Sequence, residues 1–398
     1  MQLSPETLRF IEENSRADVR SLALQAKKYP QVDMAMAVVQ IAGRQIAEAK
    51  VPTWYRIEGL FYPKHLSMEQ CSSEATAIYK ANLVEGETFA DLTGGFGIDC
   101  SFLSRKFKKA DYVERQAELC ELAKHNFPLL GLDIDVHNED GVEYLKQMQP
   151  VDCLFLDPAR RDGHGGKTVA ISDCEPDVSA LEELLVEKAT KVMVKLSPML
   201  DLSLALKDLK HVSEVHIVST DNECKELLLV LQKEPASSEV SIHCINSLGA
   251  LNGYRIYQEY TFTQEQERTS DCPLTSEVYA YIYEPNASIL KAGAYRSLTQ
   301  TYACKKLHAS SHLYTSEHFI EDFPGRRFRV EGVSGFGKKE LKTFLQGMEK
   351  ANLTIRNFPS SVADLRKRLK LKEGGEDYIF ATTLADESKV LIKCKKHG

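Results

Sequence analysis

Along the first 66 residues, apolar positions recur at steps of three and four: Leu8, Ile11, Val19, Leu22, Leu24, Met34, Val38, Ile41 and Ile46. This spacing predicts amphipathic helices interrupted at Pro30 and Pro52, and hence an N-terminal helical cap over residues 1–66. From Thr88 the pattern changes to short apolar runs separated by amphipathic stretches, the signature of βα units that build a parallel sheet. The runs are Phe89-Ala90, Tyr112-Val113, Ile134-Asp135-Val136, residues 153–156, Val192-Met193-Val194, residues 215–218 and residues 227–231, which predicts seven strands. Only residues 220–226 separate the last two, too few for a crossover helix, so these strands are expected to pair as an antiparallel hairpin.

Residues 239–324 read as a small α+β unit with a helix near 294–304. Tyr279, Tyr281 and Tyr283 alternate there as a strand that packs in a sheet, a base-stacking platform being the alternative. From Gly325 the pattern gives a strand (328–333), a helix (338–351), a strand (354–358), a helix (362–371) and two strands (378–382 and 390–393).

With 398 residues, 43% hydrophobic and 27% charged, the chain has the composition of a folded soluble protein of several domains. Its longest aliphatic run, residues 227–231, is far below the ~20 residues of a spanning helix. Met1 leads into Gln2-Leu3-Ser4-Pro5-Glu6 with no secretory character, so a cytoplasmic protein without membrane insertion is expected. The ten Cys include no Cys-x-x-Cys pair and read as free thiols. His308 and His312 would share a helix face, but no third ligand is near in sequence, and no metal is expected.

Charge is unevenly distributed. Residues 325–398 hold 17 Lys and Arg against 9 Asp and Glu, whereas residues 1–324 hold 33 against 48. A basic module on an acidic body is suited to a polyanion, and Lys338, Lys339, Arg366 and Arg368 are its candidate phosphate contacts. A solvated Lys-rich face is the plain alternative.

The candidate chemistry begins at Asp91-Leu92-Thr93-Gly94-Gly95-Phe96-Gly97, an apolar strand running into a glycine-rich turn that lets a nucleotide-like ligand approach the backbone. Glu114 ends the second strand, 17 residues past Gly97, where a carboxylate can accept hydrogen bonds from ribose hydroxyls. Asp140 follows the third strand, suited to an adenine amino group, and Asp157 ends the fourth in Asp157-Pro158-Ala159-Arg160-Arg161. Acidic residues thus close four successive strands on the carboxyl edge, where open α/β sheets bind ligands; helix capping is the ordinary alternative for Asp91 and Asp140. Arg160 and Arg161 could hold a phosphate, or form a surface ion pair, and Gly163-His164-Gly165-Gly166-Lys167 could cover the substrate. Lys195 and Ser197 after the fifth strand, and Asn222 in the hairpin loop, should border an acceptor pocket.

These residues resemble class I S-adenosylmethionine-dependent methyltransferases over about residues 67–238. Asp91 to Gly97 looks like the first motif, Glu114 the second, Asp140 the third and Asp157-Pro158-Ala159-Arg160 the fourth, while the terminal hairpin fits that fold's reversed last strand. The resemblance implies that Asp91, Thr93, Gly95, Gly97, Glu114, Asp140 and Asp157 hold the cofactor and that Asp157, Pro158 and Arg160 form the catalytic corner. Arg161, Lys195, Ser197 and Asn222 would then face the substrate. Thr93 stands where the usual first glycine would be, a variant also seen in RNA-modifying members. The whole chain is similar to bacterial methyltransferases with a ferredoxin-like unit, here 239–324, and a THUMP-like domain, here 325–398, which implies an RNA substrate. Amino-methylating relatives carry an aromatic after Asp-Pro-Pro or Asn-Pro-Pro, whereas Ala159-Arg160 follows Pro158 here. Cys174 and Cys224 are the candidate nucleophiles should the acceptor be a ring carbon. A small-molecule or protein methyltransferase with a structural C-terminal module is the second reading. An NAD-dependent oxidoreductase is disfavoured because Cys100 stands where the dinucleotide fingerprint needs a small residue.

Overall fold

The computed structural model describes residues 3–160, 170–235, 237, 239–251 and 254–397. The chain divides into two compact units, Met1–Glu214 with Leu227–Ser238, and Val215–Glu226 with Glu239–Gly398.

The first unit opens with the helices Pro5–Glu13, Val19–Ala23, Met34–Lys50, Pro52–Tyr55, His65–Gln70 and Glu74–Ala81. Ser4, Asp18, Asp33 and Ser73 cap four of them by accepting backbone N–H bonds. Pro52 sits at the first turn of its own helix, where its missing N–H costs nothing.

The strands that follow are β1 (Thr88–Asp91), β2 (Lys109–Val113), β3 (Asp135–His137), β4 (Val151–Leu156), the short pair β5 (Ala159–Arg160) and β6 (Cys174–Glu175), β7 (Ala189–Leu196), β8 (Val212–Thr220) and β9 (Glu223–Leu231). In this unit the sheet order is β9-β7-β4-β1-β2-β3, and only β9 runs antiparallel to its neighbour. All seven apolar runs therefore became strands. Phe89 and Ala90 of β1 are fully buried, flanked by Ala110 and Asp111 on β2 and by Cys153 and Leu154 on β4. The helical cap shares one core with this sheet: Ala47, Val51, Trp54, Tyr62 and Met68 pack with Phe89, Phe96, Tyr112 and Phe127. Trp54 meets Phe96 edge-on at 5.0 Å, which seats a cap aromatic directly on the glycine-rich turn.

The β8–β9 connection is tighter than its sequence suggests. Asp221 and Asn222 alone form the turn, both at positive φ (51° and 62°), the conformation a two-residue hairpin needs to match strand twist. The polar start of β9, Glu223 to Glu226, conceals its first four residues from an apolar-run reading.

In the second unit, β10 (Ser241–Leu251) and β11 (Tyr254–Thr263) form a long hairpin, in the order β11-β10-β8-β9, so the strand count exceeds the seven expected. A separate sheet contains β12 (Tyr281–Pro285), β13 (Lys305–Lys306), β14 (Tyr314–Ser316), β15 (Gly325–Ser334), β16 (Asn352–Arg356), β17 (Asp377–Thr383) and β18 (Lys389–Lys396), in the order β13-β14-β12-β15-β18-β17-β16. The expected helix near 294–304 is two helices, Ala287–Ala292 and Ser297–Thr301, parted after Gly293 at φ 76°. The helix expected over 338–351 ends at Phe344. Of the alternating tyrosines, Tyr283 is fully buried against Phe323, Tyr281 is half-buried beside Phe319 and His397, and Tyr279 lies before the strand with the Lys305 ammonium over its ring. His308 and His312 do not share a helix: His308 faces Glu387 at 3.1 Å, and His312 stacks on Tyr295 at 3.8 Å. Among the described residues no helix is long and apolar enough to cross a membrane.

Candidate active site

Parallel pairing puts the ends of β1, β2 and β4 side by side, with Asp91 opposite Tyr112 and Phe155. The turn after β1 is held by a set of specific bonds. Thr93 N donates to Asp91 Oδ1 (3.0 Å), Gly94 N to the Val113 carbonyl (2.9 Å) and Gly95 N to Glu114 Oε2 (2.9 Å), while Tyr112 Oη donates to the Gly95 carbonyl (2.5 Å). Thr93 has a local reason to replace glycine: its hydroxyl accepts the Asp157 N–H at 2.6 Å and ties the first turn to the fourth strand's end.

The glycines of this turn are not equivalent. A Cβ on Gly94 would lie 2.2 Å from the Tyr112 ring, one on Gly97 2.9 Å from Phe127, and one on Gly141 2.1 Å from the Leu92 carbonyl oxygen; the protein's own packing accounts for all three. At Gly95 (φ 55°) the nearest atom is the Thr93 carbonyl oxygen at 3.7 Å, so the space a side chain would take there is left open. That opening beside Glu114 is a cradle of the kind a nucleoside ligand needs.

Glu114 is buried, and each oxygen already accepts one backbone N–H, from Gly95 and from Gln116 (2.8 Å), leaving a second lone pair on each. Asp140 is exposed and caps the helix Gly141–Gln147 through bonds from Val142 and Glu143. The capping alternative is therefore realised, on the oxygen Oδ1. Pro158 is buried behind Asp157. Arg160 contributes its backbone to β5, opposite Cys174. Arg161 and the segment 163–167 lie outside the described residues.

Four carboxylates crowd this edge, and their surroundings separate them. Asp91 is fully buried, with no cation paired to it among the described residues; desolvation, then the negative charges of Asp99, Asp157 and Glu114, push its carboxyl well above the usual range despite the Thr93 bond. Asp99, as deeply buried, is held below it: the ammonium groups of Lys80 and Lys195 and the Ser72 hydroxyl outweigh desolvation. Lys80 Nζ lies 3.1 Å from Asp99 Oδ1, and Lys195 Nζ reaches Asp157 Oδ2 (2.5 Å), Ser72 Oγ (3.1 Å) and Asp99 Oδ2 (3.4 Å). Ser72, Lys80 and Asp99 carried no functional signal in sequence, because their partnership spans 27 residues and only folding reveals it. Lys195 stands at this corner, engaged with protein carboxylates, and Ser197 accepts the Met199 N–H in the turn that follows.

Of the candidate cysteine nucleophiles, Cys174 is buried, whereas Cys224 is half-buried and burial raises its thiol. Asn222 stabilises the β8–β9 turn, its N–H bonded to Asn246 Oδ1 (2.9 Å) and its side-chain carbonyl accepting the Ala287 N–H (2.7 Å). In the second unit Lys338, Lys339 and Arg368 are exposed, Arg368 above the Phe336 ring at 5.0 Å. Arg366 instead donates to the Ala351 carbonyl (3.2 Å).

A family profile described as a ferredoxin-like domain matches residues 281–324, and one described as THUMP domain-like matches residues 325–396. A solved structure described as "putative methyltransferase from Porphyromonas gingivalis W83" is 36% identical, with a TM-score of 0.87, covering 98% of this chain and 97% of that one. A "putative class i s-adenosylmethionine-dependent methyltransferase" from Listeria monocytogenes is 12% identical, with a TM-score of 0.38, covering 61% and 92%. A "putative methyltransferase" from Streptococcus mutans "in complex with SAH" is 14% identical, with a TM-score of 0.30, covering 40% and 97%. No curated protein matches the chain.

Proposed function

The chain belongs to the family of the Porphyromonas gingivalis protein, and on that premise we propose that it is an S-adenosylmethionine-dependent methyltransferase whose acceptor is RNA. One observation carries the cofactor assignment. Asp91, Glu114 and Asp157 are all tied to a single turn, two of them through Thr93 and one through Gly95, beside a side-chain space the protein leaves open. In this reading Glu114 takes the ribose hydroxyls, Asp140 the adenine amino group through the oxygen not used in capping, and Asp91 lies nearest the amino-acid end. When bound, S-adenosylmethionine supplies an already activated methyl group, so the protein's task is orientation and electrostatics.

In the same reading Asp157, about one-third exposed, accepts a hydrogen bond from the acceptor. Burial of Cys174 and the raised thiol of half-buried Cys224 favour a nitrogen or oxygen acceptor over a ring carbon. RNA is favoured by the THUMP-like match and by the exposed Lys338, Lys339 and Arg368 of a segment with eight more basic than acidic residues.

Mass spectrometry of nucleosides from cells with and without the gene tests the acceptor. Loss of one methylated nucleoside supports RNA; an unchanged nucleoside profile alongside methylation of a metabolite or protein supports the second reading.

A further inference from the structure

Asp157 and Lys195 end adjacent strands of the first unit, and their side chains meet at 2.5 Å. The lysine is braced from behind. Its ammonium also donates to Ser72 Oγ at 3.1 Å and lies 3.4 Å from Asp99 Oδ2, while Lys80, fully buried, holds the other Asp99 oxygen at 3.1 Å and donates to Ser72 Oγ at 3.2 Å. Ser72 Oγ in turn donates to Asp99 Oδ2 at 2.6 Å. Two ammonium groups and two carboxylates thus alternate around one hydroxyl. Asp157, the less buried carboxylate, is at the outer end, with a side-chain exposure of 37% against 9% for Asp99.

We propose that Lys195 is a positioning residue of this site: braced by Ser72, Asp99 and Lys80, it holds the Asp157 carboxylate in one orientation for an acceptor that carries an N–H. The proposal rests on the methyltransferase reading. It also accounts for the absence of an aromatic after Pro158, because the acceptor is fixed through a rigid carboxylate in place of a stacking ring. Without the Lys195 ammonium, the partly exposed Asp157 carboxylate would lose the contact that fixes its side chain at this edge. Cys71, whose thiol burial raises, is a further titratable group near the lysine and Asp99. A brace that served folding alone would have no need to reach the exposed carboxylate.

The test uses the full chain and its Lys195→Met and Ser72→Ala variants, the second removing only a hydroxyl should the first not fold. A Lys195→Arg variant keeps a cation at this corner as the conservative replacement. S-adenosylhomocysteine affinity is measured by calorimetry, and the kcat and KM of methyl transfer from labelled S-adenosylmethionine are measured on bulk RNA from cells lacking the gene. Lys195→Met lowers kcat about 100-fold while KM for RNA and S-adenosylhomocysteine affinity change less than about threefold; Lys195→Arg restores most of the rate, and Ser72→Ala lowers kcat by less. An unchanged kcat in a folded Lys195→Met variant, or a loss carried by KM alone, overturns the proposal. A wild type that neither binds S-adenosylhomocysteine nor methylates RNA overturns the underlying reading and the proposal with it.

Discussion

Adding one methyl group at Gly94 or at Gly95 separates a glycine required by packing from one required by a ligand. At Gly95 the backbone is left-handed (φ 55°), which costs a non-glycine residue about 1–2 kcal/mol, but the added Cβ meets nothing closer than 3.7 Å. Gly95→Ala should therefore lower stability by about 1 kcal/mol and leave the fold intact. If the open space belongs to the cofactor, overfilling it should cost about 1–3 kcal/mol of binding, or roughly 5- to 150-fold in S-adenosylhomocysteine affinity. At Gly94 the Cβ would stand 2.2 Å from Cε2 of the buried Tyr112, whose hydroxyl is fixed on the Gly95 carbonyl. Gly94→Ala should thus destabilise by about 3 kcal/mol, because the buried ring is held by its hydroxyl bond and by its edge contact with Phe127. Urea unfolding and calorimetric titration read the two quantities independently. Undiminished affinity in Gly95→Ala would refute the cradle, and a fully stable Gly94→Ala would refute the packing geometry beneath it.

Three further outcomes follow from the same geometry. Asp91 has a folded-state pKa above its unfolded value, so its contribution to stability is complete below about pH 4 and declines as pH rises toward the raised value. Asp91→Asn should flatten the fall in melting temperature as pH rises above about 4 while abolishing S-adenosylhomocysteine binding; an unchanged slope would contradict a desolvated carboxyl at this position. Reversing Lys338, Lys339 and Arg368 to Glu should weaken RNA binding and reduce the slope of log affinity against log salt, whereas Arg366→Glu should mainly destabilise by freeing the Ala351 carbonyl; filter binding at several salt concentrations separates the two effects. Glu284, 2% exposed, joins Arg326 on β15 to Arg356 on β16 across the second sheet, so Glu284→Gln should cost about 3 kcal/mol in chemical denaturation; a cost below about 1 kcal/mol would show the triad to be dispensable.

What the sequence disclosed and what it concealed follow from the range of each interaction. The strands β1, β2, β3, β4, β7, β8 and β9 were legible because each carries a short, mostly apolar run, and Asp91, Glu114 and Asp157 because each directly follows such a run; Asp140 lies four residues past Val136. The β10–β11 hairpin was hidden: Ile242 and Cys244 are buried while exposed or half-buried polar residues alternate with them, which gives no run to detect. Lys80 was illegible for a different reason. On the helix Glu74–Ala81 it reads as an ordinary solvated lysine, yet it is fully buried because Asp99 and Ser72 close over it from distant chain positions. Arg366 shows the converse, a basic residue suggestive of phosphate that in fact closes a backbone contact, whereas neighbouring Arg368 faces solvent.

The most direct measurement is calorimetric titration of the intact protein with S-adenosylhomocysteine and, separately, with NAD. Saturable binding of S-adenosylhomocysteine alone, lost in a folded Glu114→Ala variant, is the predicted result. Heat from NAD instead, or S-adenosylhomocysteine affinity that survives the loss of the Glu114 carboxylate, would contradict the assignment of this turn to an adenosyl group.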